Sequence, residues 1–400
     1  MTEAPHWLTI IGLGEDGLDG LPPASRDALA RAKIVMGAAR HLALAPGLQA
    51  ECVTWPVPFA DGIPLLLALR GTPVVVLASG DPFWFGAGTV LAQHLAPGEW
   101  RAFPGASVFS LAAARMGWGL ERTLCLGLHA APLARLRPQL APGLRAIVTL
   151  RDGAAVGELA AYLTAEGFGA TELTLLEALG GPRERVRTVR ADACHPGDVI
   201  HPVACALDVT GDGAVLTRAS GQADDLFDHD GQITKRPVRA LALSALAPRA
   251  GERLWDIGAG SGSIGIEWLL SDPSTQAIGF EADPERAARA RANAAQLGVE
   301  RLRIIEARAP EGLEGQPLPD AVFIGGGLSQ VLLETLYAIL PNGTRLVAHA
   351  VTLESEALLA HAQADRGGAL MRIELAQAQP IGRLRGWKAA YPIVQWSVVL

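Results

Sequence analysis

Short apolar runs alternate with amphipathic stretches along the first half of the chain. The runs WLTIIG, PVVVLAS, RAIVTL and TELTLLEAL have the length and composition of strands. The stretches that follow the first three, PASRDALARA, GAGTVLAQHLA and AAVGELAAYLTAEG, are typical of helices. Because strands that alternate with helices usually lie parallel in one sheet, this pattern predicts an α/β fold.

The alternation restarts in the second half, where seven further runs predict a seven-stranded sheet. They are RLWDIG, AIGFEAD, LRIIEA, DAVFIGG, RLVAHAV, LMRIELAQA and IVQWSVVL. The last two runs leave no room between them for a long helix, so we expect an antiparallel strand at the sheet edge. The second half is therefore predicted to be a mixed α/β sheet.

Residues 211–232 separate the two halves and contain five aspartates with little hydrophobic periodicity. A surface loop of one larger domain is the alternative, but 400 residues favour two domains. We predict one domain over residues 1–210, an acidic linker over 211–230 and a second domain over 231–400.

Composition narrows the classes of function. The net charge of -7 argues against nonspecific binding to nucleic acid, and the four cysteines form no pair or cluster with zinc-ligand spacing. We therefore expect no metal site. No apolar run is long enough to span a bilayer, so we expect no membrane association and a cytoplasmic location.

The motif LWDIGAGSGSIGIEW at residues 254–268 joins a strand to a helix through a glycine-rich turn. Glycines permit positive φ angles and allow the backbone to approach a ligand closely. Nicotinamide and flavin sites use similar turns, so the motif alone leaves the ligand open. Glu281 ends the next strand, where its carboxylate is placed to bind the ribose hydroxyls of a nucleoside.

D-x-G-x-G-x-G followed by E-x-D-P resembles the class I methyltransferases, whose glycine loop faces the methionine part of S-adenosylmethionine. Together with GQITKRPVRAL, ARAPEGL, PDAVFIGGG and LVAHAVTLESE, the segment 231–400 resembles the decarboxylating precorrin methyltransferase domain. The alternative for the threonine of GQITKRPV is a helix cap. The donor contacts that the resemblance implies are Thr234, Gly258, Ala259, Gly260, Ser261, Gly262, Glu281 and Ala309.

Three other glycine turns mark the first half: IGLGEDGLDGL, ASGDPFWFGAG and FPGASVFSLAAARMGW. In this order they resemble the tetrapyrrole methylase family over residues 7–210, which implies a fold of two α/β lobes. The later R-E-R-V segment also matches, although such charged stretches are typical of solvated faces. The donor contacts that the resemblance implies are Leu13, Asp81, Trp84, Ala106 and Ser107.

The two resemblances together imply a two-site enzyme of cobalamin biosynthesis with one S-adenosylmethionine per domain. The implied reaction methylates a precorrin at carbons 5 and 15 and removes the carboxylate of the ring C acetate, taking precorrin-6B to precorrin-8. The carboxy-terminal domain is expected to act at carbon 15 and to decarboxylate, and the amino-terminal domain to act at carbon 5. Relatives of the carboxy-terminal domain suggest a homotetramer by analogy.

The substrate carries many carboxylates, which arginine and lysine side chains bind well. Candidate substrate contacts are Arg236, Arg383, Arg385 and Lys388. Catalytic residues stay unassigned, with four candidates: Lys235, Arg239, His349 and Glu354. Solvent-exposed charge is the alternative for the basic residues, and a role at a helix start is the alternative for the glutamate.

Two other functions remain open from the residues. An RNA methyltransferase would need a basic, aromatic-lined groove, against which the acidic chain counts. A donor-binding protein without catalytic activity is the third possibility.

Overall fold

The computed structural model describes residues 6–400, and the chain divides into two compact units. The first unit comprises the residues up to 133 together with 140–214, and the second comprises 134–139 together with 215–400. The boundary near residue 214 lies inside the segment 211–230, which was expected to be a linker.

The first sheet of the first unit is entirely parallel, as the alternating pattern predicts. Its strands lie in the order β3-β2-β4-β1-β5. They are β1 Leu8–Leu13, β2 Ile34–Gly37, β3 Glu51–Thr54, β4 Val74–Ser79 and β5 Trp100–Phe103. The helices that accompany them are α1 Pro23–Arg31, α2 Ala39–Ala43, α3 Gly62–Leu67, α4 Ala87–Ala92 and α5 Val108–Met116. The strand β1 is buried along its whole length, which is typical of a strand covered on both faces.

The second sheet of this unit is mixed and has the order β6-β7-β10-β8-β9. Its strands are β6 Leu124–Gly127, β7 Arg145–Leu150, β8 Glu172–Glu177, β9 Arg185–Arg190 and β10 Val203–Asp208, and α6 Ala154–Ala165 lies between β7 and β8. Only β6 and β7 are parallel neighbours. The sheet departs from the predicted parallel arrangement because the short connection from β8 to β9 has no room for a crossover helix.

The second unit contains the seven-stranded mixed sheet that the sequence predicts, in the order β13-β12-β11-β14-β15-β19-β16. The strands are β11 Arg253–Ile257, β12 Gln276–Glu281, β13 Arg303–Glu306, β14 Ala321–Ile324, β15 Arg345–Ala350, β16 Ala369–Ile373 and β19 Ile393–Val399. The helices are α7 Arg236–Leu246, α8 Ser263–Ser271, α9 Pro284–Gln296, α10 Gln330–Ile339 and α11 Leu353–Arg366. The tryptophans Trp255, Trp268 and Trp396 are fully buried in its core.

Two details of this sheet differ from the expectation. The antiparallel strand β19 lies one place inside the edge, between β15 and β16, and β16 forms the edge. The run LMRIELAQA is not one strand, because the chain leaves β16 and forms a separate hairpin of β17 Ala376–Ile381 and β18 Leu384–Ala389. This hairpin carries exposed apolar side chains, among them Leu384 and Trp387.

Much of the predicted acidic linker packs into the core of the second unit. Leu216 and Phe227 belong to its main hydrophobic cluster, and Gln222 is buried. Arg239, on α7, binds this segment through hydrogen bonds made in the core. Its guanidinium donates to Glu267 at 2.5 Å and to Asp224 at 3.0 Å. Residues 215–230 are therefore part of the second unit and do not form a free linker.

No helix among residues 6–400 combines the length and the apolar character needed to cross a bilayer.

The buried ion pair between Arg239 and Glu267 predicts a large loss of stability when one partner is neutralised. Glu267 also accepts hydrogen bonds from the amides of Gly221 and Gln222. Glu267→Gln leaves the buried cation with less compensation, so we expect a loss of roughly 3 kcal/mol. Hydrogen exchange of peptides from α7 and α8 under increasing urea measures it.

The matched control is Glu306→Gln, which breaks the exposed pair with Arg291 in the same unit. We expect a loss of less than about 1 kcal/mol there. Equal losses in the two variants would show that the buried pair has no special weight.

Candidate active site

Three backbone turns of the first unit meet at the carboxyl edge of its parallel sheet. They follow β1, β4 and β5, which are neighbours in the sheet. The amide of Gly105 donates to the carbonyl of Gly80 at 2.9 Å. A Cβ atom at Gly12 would lie 1.7 Å from the Gly80 oxygen and 2.4 Å from the Gly105 nitrogen. The three glycine motifs therefore form one structural site, and glycine is required at position 12.

The five predicted donor contacts of this unit all line one cavity of about 730 Å³. They are Leu13, Asp81, Trp84, Ala106 and Ser107. Most of the other lining residues are apolar, and the second sheet contributes Thr149, Leu150 and Leu176 to the wall. The volume lies within the range of small-molecule sites.

Two of these residues also have local structural roles. Ser107 caps α5, because its hydroxyl accepts the amide of Ser110 at 3.0 Å. Asp81 accepts the amide of Phe83 at 2.8 Å, which is the turn-forming role expected of aspartate before proline. These bonds hold the backbone of the cavity in place and leave other acceptor sites on both side chains.

A charged cluster in the cavity wall was not predicted from the sequence. Arg40 forms ion pairs and hydrogen bonds with the side chains of Glu15, His41 and Ser79. Burial, and then the neighbouring Arg40 cation, lower the pKa of His41 to about 4. The imidazole is therefore neutral near pH 7. Glu15 and Ser79 belong to the G-L-G-E and S-G-D turns. Their place in these motifs is the sequence feature that could have indicated the cluster.

The R-E-R-V segment forms ion pairs within the first unit, while Arg183 and Val186 are exposed to solvent. Arg183 reaches Glu15 at 3.0 Å, and Arg185 pairs with the fully buried Glu177 at 2.7 Å. Glu184 pairs with Arg115 and accepts the amide of Gly180. The segment thus links the second sheet to the cavity wall.

The glycine loop of the second unit adopts the conformation that the motif predicts. Gly258, Gly260 and Gly262 have φ angles of 73°, 56° and 77°, in the left-handed region that favours glycine. A Cβ atom at Gly260 would have only the Gln232 carbonyl within 4 Å, at 3.9 Å. The loop therefore faces open space at Gly260, as a ligand-binding loop requires.

Glu281 lies beside this loop at the end of β12. Its carboxylate accepts the amides of Gly260 at 2.8 Å and Asp283 at 3.0 Å. A carboxylate has about four acceptor positions, so both oxygens can still accept ribose hydroxyls. Ala309 follows β13, whose Glu306 pairs with Glu281 in the parallel register, so the A-R-A-P element lies along the same sheet edge. The fit to a nucleoside donor is good.

Asp256, the first residue of the glycine motif, has a structural role. Its carboxylate is buried and accepts the amide of Gly265 in α8 at 3.0 Å. Burial raises its pKa to about 7, although the hydrogen bond from Gly265 acts in the opposite direction. The Asp256 carboxylate therefore joins β11 to α8, the helix that follows the loop.

Thr234 does not cap the helix that it precedes. The helix α7 begins at Arg236, its N-cap residue is Lys235, and no side chain caps it. The Thr234 carbonyl instead accepts a hydrogen bond from Arg239 at 2.5 Å. The position of the threonine near the loop is therefore fixed through its backbone, and its hydroxyl has no capping role.

The four catalytic candidates occupy different environments. Lys235 and Glu354 are exposed, and Glu354 lies in the first turn of α11. Arg239 is fully buried and bound to protein groups, so the alternative of solvent-exposed charge is wrong for this residue. His349 lies within β15, and its Nε2 contacts Gln395 at 2.9 Å. Burial lowers the pKa of His349 below its ordinary value.

All four predicted substrate contacts are exposed. Arg236 begins α7, whereas Arg383, Arg385 and Lys388 lie on the hairpin of β17 and β18 and its turn.

Comparison with known proteins identifies both halves. A family model described as tetrapyrrole (corrin/porphyrin) methylases matches residues 7–194, and one described as a precorrin methyltransferase domain matches residues 225–400. A precorrin-6Y C(5,15)-methyltransferase (decarboxylating) from Sinorhizobium sp. is 51% identical over 98% of this chain and 96% of its own length.

Two shorter relatives match part of the chain. A probable cobalt-precorrin-6B C(15)-methyltransferase (decarboxylating) from Saccharolobus solfataricus is 35% identical over 34% of this chain and 71% of its own length. A cobalt-precorrin-7 C(5)-methyltransferase from Salmonella typhimurium is 28% identical over 46% of this chain and 92% of its own length. Given the match along nearly its whole length, the chain belongs to the family of decarboxylating precorrin-6Y C(5,15)-methyltransferases.

Proposed function

We propose that the two halves of the chain carry out the two methylations of a precorrin separately. The domain predicted over residues 231–400 methylates carbon 15 and removes the ring C acetate carboxylate, and the domain over 1–210 methylates carbon 5. S-adenosylmethionine is the methyl donor of this family. Each domain binds its own molecule of the donor.

The observation that carries this proposal is the presence of two unrelated glycine-turn sites, each at the carboxyl edge of a sheet in its own unit. One site contains Gly12, Gly80 and Gly105, and the other contains Gly258 and Gly260. The partial matches support the division, because relatives named separately for carbon 5 and carbon 15 each match less than half of the chain.

The first site suits methyl transfer to carbon because this reaction needs alignment and exclusion of water more than a catalytic base. The donor supplies an electrophilic methyl group when it is bound, and the electron-rich meso carbon is the nucleophile. The cavity of about 730 Å³ and its apolar lining, including Leu13, Trp84 and Leu176, provide a dry and fixed surface.

Decarboxylation needs a place where the carboxylate to be lost is poorly solvated and a route for its electrons into the ring. The exposed groups Lys235 and Glu354 are the candidates for proton transfer, because Arg239 and His349 are buried. The remaining carboxylates of the substrate are assigned to the exposed basic groups Arg236, Arg383, Arg385 and Lys388.

The RNA methyltransferase alternative receives no support from the relatives, whose names all refer to precorrins. A cytoplasmic location and a homotetramer stay predictions. Sedimentation of the purified protein measures its oligomeric state.

The first experiment counts donor sites. Calorimetric titration of the intact protein with S-adenosylhomocysteine should show two sites per chain, and Gly260→Arg should leave one. The arginine side chain would enter the space in front of the loop, which has only the Gln232 carbonyl near it. We also expect the variant to lose methylation at carbon 15 together with decarboxylation, as measured by product mass.

Gly251→Arg is the matched control for this variant. Gly251 also has a positive φ angle, 81°, but it precedes β11 at the opposite end of the strand and has open space around it. Two sites should remain in this control. Decarboxylation that persists in Gly260→Arg would assign that step to another part of the chain.

The second experiment blocks the first site. Ala106 lines the cavity and is exposed, so Ala106→Trp should fill the cavity without disturbing the core. We expect methylation at carbon 5 to fall at least tenfold while methylation at carbon 15 continues. The position of the methyl group is read by nuclear magnetic resonance with labelled donor.

Ala96→Trp, at an exposed alanine before β5, is the control for the added bulk. Loss of methylation at carbon 15 in Ala106→Trp, with carbon 5 unaffected, would reverse the proposed assignment.

A further inference from the structure

We propose that Arg40 binds a carboxylate of a ligand in the cavity of the first unit. This inference rests on the proposed function insofar as it takes that cavity to be the site of methylation at carbon 5. The ligand carboxylate has two possible sources, a side chain of the tetrapyrrole and the methionine part of the donor. The site chemistry is the same for both, and the experiment below separates them.

The charges in one part of the cavity wall are not balanced. The Glu15 carboxylate, whose side chain is only 6% exposed, is shared by two arginines, Arg40 and Arg183. One carboxylate and two guanidinium groups leave an excess of one positive charge. Because a cation beside an apolar cavity is costly without a counter-ion, an anionic ligand is its natural complement.

The excess belongs to this cluster, because among the described residues no acid other than Glu15 forms an ion pair with Arg40 or Arg183. Arg151 also lines the cavity but pairs with Asp152 at 2.8 Å and Glu158 at 3.0 Å. The remaining acid of the lining, Asp81, accepts the amide of Phe83. Burial lowers the pKa of each of the three histidines of the lining, which favours the neutral imidazole.

Neutral groups also hold the Arg40 guanidinium in one orientation. The Ser79 hydroxyl accepts from its Nη2 at 2.7 Å, and the same Nη2 lies 3.0 Å from His41 Nε2. Since a guanidinium only donates, His41 Nε2 must accept, which agrees with a neutral imidazole. Ser79 Oγ is also 2.9 Å from His41 Nε2. A held arginine binds a carboxylate with little loss of conformational entropy.

The charged cluster lies close to the predicted donor contacts in the chain. Glu15 lies two residues after Leu13, and Ser79 lies two residues before Asp81, so the cluster sits between two turns assigned to the donor. The Arg40 side chain is 27% exposed, which gives its guanidinium access to the cavity. A carboxylate bound there would help to fix the reacting carbon opposite the donor.

The test compares Arg40→Gln and Arg40→Lys in the full-length enzyme. The measurements are the KM for the tetrapyrrole and the Kd for S-adenosylhomocysteine, with the methylated position identified in the product. A charge-assisted hydrogen bond lost in Arg40→Gln should raise one of these constants by about tenfold to a hundredfold, and Arg40→Lys should recover much of the loss. A rise in KM for the tetrapyrrole alone assigns the carboxylate to the substrate. A rise in Kd for S-adenosylhomocysteine alone assigns it to the donor.

Arg70→Gln is the matched control, because Arg70 pairs with Glu99 on the exposed surface of the same unit. It should leave both constants unchanged. If Arg40→Gln does not fold, Arg183→Gln replaces it. Arg183 is about half exposed, and its loss removes the charge excess while leaving Arg40 in place, so the same constant should rise severalfold.

Unchanged constants in the glutamine variants would overturn the inference, and so would a lysine variant no better than glutamine. If the constants rise but the affected methyl group is at carbon 15, carboxylate binding by Arg40 stands and the assignment of this cavity to carbon 5 fails. The two proposals can therefore fail separately.

Discussion

The close approach of backbone turns at the carboxyl edge of a parallel sheet is the constraint on which both sites depend. In the first unit Gly12, Gly80 and Gly105 are in contact, so none of the three turns can move without displacing the others. In the second unit Gly258 lies against Gly326, where a Cβ atom would be 2.7 Å from the Gly326 nitrogen. Parallel neighbours end at the same edge, and glycine allows the turns that follow them to touch.

The same chain uses buried charge in two different ways. Around Glu177 the charges balance, because the carboxylate pairs with Arg185 and Arg187 and a second carboxylate, Asp198, also pairs with Arg185. Around Glu15 one carboxylate serves two arginines beside a cavity. A satisfied cluster holds two strands together, whereas an unsatisfied one beside a cavity favours an anion. Burial alone does not distinguish the two clusters, since each buried carboxylate pairs with two arginines, but only the cluster around Glu177 contains a second carboxylate.

Sequence patterns were most informative where the structure depends on neighbouring residues in the chain. The alternation predicted β1, β4, β7 and β8 of the first unit and the seven-stranded sheet of the second, but not the six other strands of the first unit. The glycine motifs were placed at the correct strand ends. Long-range pairing was harder to predict. The burial of Arg239 depends on Glu267, 28 residues away, and neither residue stands out in its local sequence.

The position of β19 inside the edge of the sheet and the separate hairpin of β17 and β18 also depend on which strands pair, which run length does not reveal. The grouping of the three glycine turns of the first unit came from family resemblance. The structure gives the physical reason for that grouping, since the turns share hydrogen bonds and a cavity wall.

The segment expected to be a linker connects the buried charge of the second unit to its glycine loop. Arg239 donates to the carbonyls of Gln222 and Thr234, so its guanidinium fixes both ends of the stretch that runs between them. The Gln232 carbonyl within this stretch is the nearest group in front of Gly260. A buried arginine outside the glycine loop thereby sets the wall opposite the loop. For this reason the stability of the second unit and the shape of its site depend on the same interaction.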